Sequence, residues 1–159
     1  MDRFSELALD ELRYAGWHEG RSIGISDYCA GIVNAGYSVH EHGKEVLTEF
    51  GGLTLRSRPG WIPEFEDPLS FDPRTVAMGY ENSISKVLGG IWMPIGSWVY
   101  YSDVFIESSG FVIATEFDLV WKLGESIEQA IEFSVTVSTK FDCIAVLKDG
   151  VEPWGPDLK

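Results

Sequence analysis

The chain is expected to fold as an α+β domain, with N-terminal helices packed against a mainly antiparallel, twisted β-sheet and a further helix near the C-terminus. Three observations predict this. Helical spacing of apolar residues dominates residues 4–50, strand-like runs dominate from Leu53 onward, and strands and helices do not alternate as they do in parallel-sheet folds. The 159 residues suit one domain, taken here as residues 1–150. Residues 151–159, with Pro153, Gly155 and Pro156, are expected to form a loosely ordered tail. Apolar residues make up 45% of the chain and aromatics 13%, enough to fill a core rather than leave the chain disordered.

The elements follow in order. Phe4, Leu7, Leu9, Leu12 and Ala15 recur at the spacing of a first amphipathic helix, capped by Ser5 or Asp2 and ended by Gly16. A turn-rich link leads to a second helix with Ser26 or Asp27 as its N-cap, running through Tyr28, Ile32 and Val33 to Gly36. A third covers about Val39 to Phe50. Val39, Val46, Leu47 and Phe50 share one face, and Gly51-Gly52 ends it. The period then changes. Leu53 to Ser57 alternates apolar and polar residues, and Pro68 to Phe71 repeats this briefly. Residues 81–88 suit a short helix closed by Gly89-Gly90. Three strand-like runs follow (91–101, 103–108 and 110–115), the last two reading as a hairpin across Ser108-Ser109-Gly110. Ser126 to Phe133 reads as a helix with a capping box from Ser126 to Gln129. Residues 134–147 look strand-like.

Charge narrows the possible partners. Twenty-five acids against 12 bases leave a formal net charge of -13. Nucleic acid and anionic membranes both call for the opposite sign, so neither is expected as a partner. A basic protein is favoured, although acidity also serves solubility. Residues 101–139 hold seven acids (Asp103, Glu107, Glu116, Asp118, Glu125, Glu128, Glu132) against Lys122 alone. Residues 1–58 are nearer balance, with nine acids and six bases. Two segments suit recognition. In the first, Trp61 stands beside Glu64, Glu66 and Asp67, as aromatic anchors stand beside charges in interfaces, although an edge segment with its aromatics in the core fits equally well. The second combines Asp103 and Glu107 with Glu125, Glu128 and Glu132. The last three line one face of the last helix, a stripe that a solvated face also explains.

Chemistry finds less support. No Gly-x-Ser-x-Gly elbow, phosphate loop or dinucleotide fingerprint occurs. Cys29 and His40 could be imagined as a hydrolytic pair, but only because both residue types exist. His40-Glu41-His42 resembles a metal-binding fragment, yet residues two apart on a helix do not share a face, and a helix start explains them better. No catalytic residue, metal or cofactor is expected. Cys29 and Cys143 form no disulfide framework, the N-terminus lacks a signal-peptide pattern, and no stretch is long enough to span a bilayer, so the chain reads as cytoplasmic.

Six short pieces then form an ordered pattern: Ala15-Gly16-Trp17 with Gly20-Arg21; Val46 to Leu53, including Phe50-Gly51-Gly52-Leu53; Phe71-Asp72-Pro73; Met93-Pro94-Ile95-Gly96; Ser109-Gly110-Phe111-Val112; and Gly124 to Ile131. Together, over about residues 7–133, they resemble the SUKH superfamily of bacterial immunity proteins, its third subgroup most closely. Ser97 departs from the pattern, where the family often carries an acid, and the run after Phe133 lies outside it. The resemblance implies an α+β fold, no catalytic residues and a cognate toxin as partner, often a nuclease or another nucleic-acid-targeting enzyme. It also leaves room for a regulatory or scaffold module of the same fold. Trp17 would anchor the core, and the two glycines would turn the third helix tightly into the first strand.

Overall fold

A computed structural model describes residues 3–56, 69–75, 81–99, 102–116, 118–136, 142–148 and 150. Helix α1 (Glu6–Ala15) starts at Ser5, whose hydroxyl accepts the Ala8 N–H at 3.2 Å. It closes at Gly16, where φ is 112°: the N–H of Gly16 reaches the Arg13 carbonyl, and that of Trp17 the Leu12 carbonyl. This paired closure is the Schellman motif, which needs a left-handed residue. Helix α2 (Ser26–Asn34) ends in the same way through Gly36 and Tyr37. Its start differs from the expectation. Ile25 is the N-cap and makes no side-chain bond, while Ser26 and Asp27 are already helical, with Asp27 in the first turn to favour the helix dipole.

Helix α3 (Glu41–Phe50) begins two residues later than the periodicity suggested, because His40 caps it. Its buried face carries Val46, Leu47 and Phe50. At its end a side chain on Gly51 would meet the Leu47 carbonyl oxygen at 2.4 Å, and Gly52 has φ 82°, so both positions demand glycine. The chain then enters β1 (Thr54–Leu55), β2 (Leu69–Ser70) and a short 3-10 turn (Pro73–Thr75). Helix α4 (Glu81–Leu88) precedes β3 (Trp92–Trp98), β4 (Ser102–Glu107), β5 (Val112–Glu116) and β6 (Leu119–Gly124). Helix α5 (Ile127–Thr136) and β7 (Asp142–Val146) complete the order.

The seven strands form one antiparallel sheet in which spatial order equals chain order. β4 and β5 form the expected hairpin, with Phe105 opposite Ile113 and Val104 opposite Ala114. A bulge in β3 between Pro94 and Gly96 resets its register with β4. Strands β3 to β6 are buried almost throughout their length, so both faces of the sheet are covered there. Helix α3 packs on β3 and β4, α5 on β6, and α1 on α5 and β1. Gly43 makes the first of these contacts close: a Cβ there would overlap the Met93 sulfur at 2.2 Å. The core joins the layers through Phe50 stacked on Phe71 at 5.5 Å, Phe4 edge-on to Phe50 at 6.3 Å, and Trp98 against Phe133 at 5.7 Å. Full burial of each such large apolar side chain contributes about 1.5–3 kcal/mol. Among the described residues, no helix is long and apolar enough to cross a membrane.

Residues 134–136, grouped with the last strand-like run on their sequence, are helical. The β-branched Val135 and Thr136 favour strands, but Ser134 and Thr136 return their hydroxyls to the Ala130 and Glu132 carbonyls, both at 2.8 Å, and Ser134 and Val135 are buried. Among the described residues of that run, Asp142–Val146 form the strand.

Candidate partner-binding surface

The sequence-predicted acids occupy different situations. Trp61, Glu64, Glu66 and Asp67 lie outside the described residues, as does the segment 151–159. Asp103 and Glu107 stand four residues apart on β4, hence on one side of the strand by its two-residue period, and both are half-buried. Glu107 is tied into its own turn. It accepts from the Ser109 N–H and from the Ser108 hydroxyl at 3.0 Å. Burial pushes its carboxyl upward, but the bonds from Ser109 and Ser108 outweigh it, and the net shift is below the usual carboxylate range. Glu125 precedes α5 rather than lying on it. It is 66% exposed and meets Lys122 at 3.3 Å. Gln129 and Ser126 form the expected cap: the Gln129 N–H donates to the Ser126 hydroxyl at 3.2 Å, and the Gln129 side-chain oxygen accepts the Glu125 N–H at 2.9 Å.

Glu128 and Glu132, both on α5, face inward to the N-terminal segment. Glu128 pairs with Arg3 at 2.9 Å, and Glu132 accepts from both the N–H and the hydroxyl of Ser5, at 2.6 and 2.8 Å. The three glutamates around α5 thus divide into one largely open to solvent beside Lys122 and two bonded to the N-terminal segment.

The helical layer holds acids that the charge count concealed. Residues 1–58 looked near balance, but the fold engages Arg3, Arg21 and Arg56 within the molecule. Arg3 lies between Glu49 and Glu128. Arg21 points both ends of its fork at the C-terminal carbonyls of α3, Glu49 at 2.5 Å and Gly51 at 2.8 Å. Arg56 meets the buried Glu11 carboxylate at 3.3 Å and lies 3.7 Å over the Tyr14 ring. Outside stand Glu6, Asp10, Glu19, Asp27, Glu41 and Glu45, all exposed. Between α3 and the segment from Gly20 to Ile25 runs a groove of about 590 Å³, lined by Glu41, Glu45 and Glu49 together with Arg21, Lys44 and Thr48. Lys44 is drawn to Glu41 at 3.1 Å. The four-residue spacing of Glu41, Glu45 and Glu49 was present in the sequence as the one available signal for this surface.

The residues considered for chemistry have structural roles. His40 is the N-cap of α3: its Nδ1 accepts the Gly43 N–H at 3.1 Å, and its Nε2 donates to the Ile106 carbonyl at 3.0 Å. Both ring nitrogens are therefore committed to backbone groups. His42 packs against Gly110. Cys29 and Cys143 are free thiols, and burial pushes the Cys143 thiol upward, away from the reactive thiolate. Among the described residues, no group of three or more His, Cys, Asp or Glu is placed to hold a metal ion. Asp72 is held below the usual carboxylate range by its hydrogen bond from Arg74, at 2.9 Å to one oxygen and 2.8 Å to the other.

The short pieces singled out in the sequence also acquire reasons. Trp17 is half-buried, edge-on to Phe4 at 6.1 Å, and its indole N–H donates to Glu49 at 3.1 Å. Gly96 and Gly124 sit where backbone passes against them: Ser70 crosses at the first, and α5 starts at the second.

These pieces build an α+β meander with a helical layer on the sheet. The family model for the SUKH-3 immunity protein matches residues 4–136, and the chain belongs to that family. No curated protein and no solved structure matches the chain. The matched span runs from Phe4 to the last residue of α5, so β7 lies beyond it.

Proposed function

We propose that this protein protects a bacterial cell by binding a cognate toxin and neutralising it stoichiometrically, through an acidic surface and without catalysis. Membership of an immunity family over residues 4–136 carries the proposal. The inhibited enzyme is a nuclease or another nucleic-acid-targeting toxin, whose basic cleft an acidic protein would cover. The contact includes Glu125 and the acids of the β4 side, Asp103 and Glu107, with Trp61, Glu64, Glu66 and Asp67 as its aromatic-and-acid anchor. Exposure favours Glu125 most among the described members, and the open acids beside the α3 groove, Glu41 and Glu45, extend the field. Glu128 and Glu132 join the interface in competition with their contacts to Arg3 and Ser5. Binding takes place in the cytoplasm, where such a toxin would act on its own producer.

Co-expression with the toxin encoded beside it tests the function directly. Rescue of growth and a one-to-one complex on pull-down are expected, and failure of both rejects the proposal. The surface is tested separately. Charge reversal at Glu64, Glu66 and Asp67, and independently at Glu125, is expected to weaken the complex by about tenfold or more, as breaking complementary charge does at protein interfaces. Unchanged affinity in both sets would retain the function and move the interface elsewhere.

A further inference from the structure

Residues 3–5 join three helices at a point where acids converge. The Arg3 guanidinium donates to both oxygens of Glu49 on α3, at 2.6 and 3.1 Å, and through Nε to Glu128 on α5 at 2.9 Å. It also lies 5.0 Å from the ring centre of Phe4 and 5.6 Å from that of Phe50. One helical turn along α5, Glu132 takes the N–H and hydroxyl of Ser5, and that same hydroxyl caps α1. Without this segment, α5 would carry like charges at i and i+4, a destabilising pair, beside a third acid from α3. The pairing with Glu49 and Glu128 holds the Arg3 guanidinium further above its ordinary range, the Glu49 bond being the larger cause.

We infer that residues 3–5 are a releasable ionic strap: they hold α5 against α1 and α3, and their release loosens α5 while the sheet stays closed. The joint is charge-assisted but lies at the surface, with Arg3 44% exposed and Glu128 33%, so salt and competing cations reach it. The sheet beneath is held by backbone ladders with buried side chains, which ions do not reach. A basic side chain from another protein that meets Glu128 and Glu132 competes there with Arg3 and Ser5. The strap shares these acids with the proposed interface, but its test needs no partner, so the two can fail separately.

Hydrogen exchange of the whole chain, read residue by residue, is the test. In Arg3→Met the stem stays on the Phe rings while the charge and donors are lost. Amides of α5 are then expected to exchange about three- to tenfold faster, with those of β3 to β5 unchanged. Raising sodium chloride from about 0.05 to about 0.5 M is expected to speed α5 exchange in the unaltered protein and to leave the variant indifferent. Arg3→Lys, which keeps the charge without the two-pronged fork, is expected to fall between them. Unchanged α5 exchange in Arg3→Met overturns the inference, as does equal acceleration across the sheet. Either result makes Arg3 an ordinary contributor to the fold as a whole.

Discussion

At position 96 an added Cβ would fall 1.9 Å from the Ser70 carbonyl oxygen, backbone against backbone, so neither atom can yield without displacing a strand. Gly96→Ala is therefore expected to cost about 2–4 kcal/mol, the range of severe overpacking, measured as a lowered urea midpoint. The Met93-Pro94-Ile95-Gly96 piece was visible in the sequence, but its reason was not, because the atom that enforces glycine belongs to another strand. Arg21 was equally visible and equally mute: only the folded chain shows its fork on the α3 carbonyls. Two carboxylates set the acid response at this scale. Asp72 and Glu107 both have lowered pKa values when folded. The unfolded chain thus takes up their protons first as pH falls. Their stabilisation is full above the unfolded value of about 4 and is lost as pH drops through the lower folded values. Melting temperatures taken from neutral pH down to about pH 2.5 should fall less steeply below pH ~4 for the Asp72→Asn, Glu107→Gln double variant than for the unaltered chain.

Among elements, the start of α3 shows how one side chain couples a helix to the sheet. His40→Ala removes both the cap on Gly43 and the bond to Ile106 in β4, while His40→Asn can keep the cap. The alanine variant is expected to lose about 1–2 kcal/mol in chemical denaturation and the asparagine variant about half as much. Element ends were legible where local chemistry decides them, as at Ser5, Gly16 and Gly51-Gly52. They were less legible where packing decides. Strand β6 was missed because nearly all its residues are buried, leaving no in-out alternation to read. The end of α5 was misplaced because burial holds Val135 helical against its strand preference, and that burial depends on the packed fold.

For the molecule as a whole, the surplus of acid was plain in the sequence, but its placement was not, since that depends on which bases the fold turns inward. If the surface left behind steers a basic partner, association should slow as salt rises while dissociation changes little. Stopped-flow rates at several ionic strengths check this. Within the sheet, β3 to β6 run as successive hairpins with only short loops to close. The strap has no such advantage: its bonds from Arg3 to Glu128 and from Ser5 to Glu132 join residues 125 and 127 positions apart. They can close only after α5 has a surface to rest on. A contact made after the rate-limiting barrier leaves the refolding rate alone, so its loss should appear almost wholly as faster opening of α5. Residues 3–5 would then govern how long α5 stays docked, and hardly at all how quickly the sheet forms.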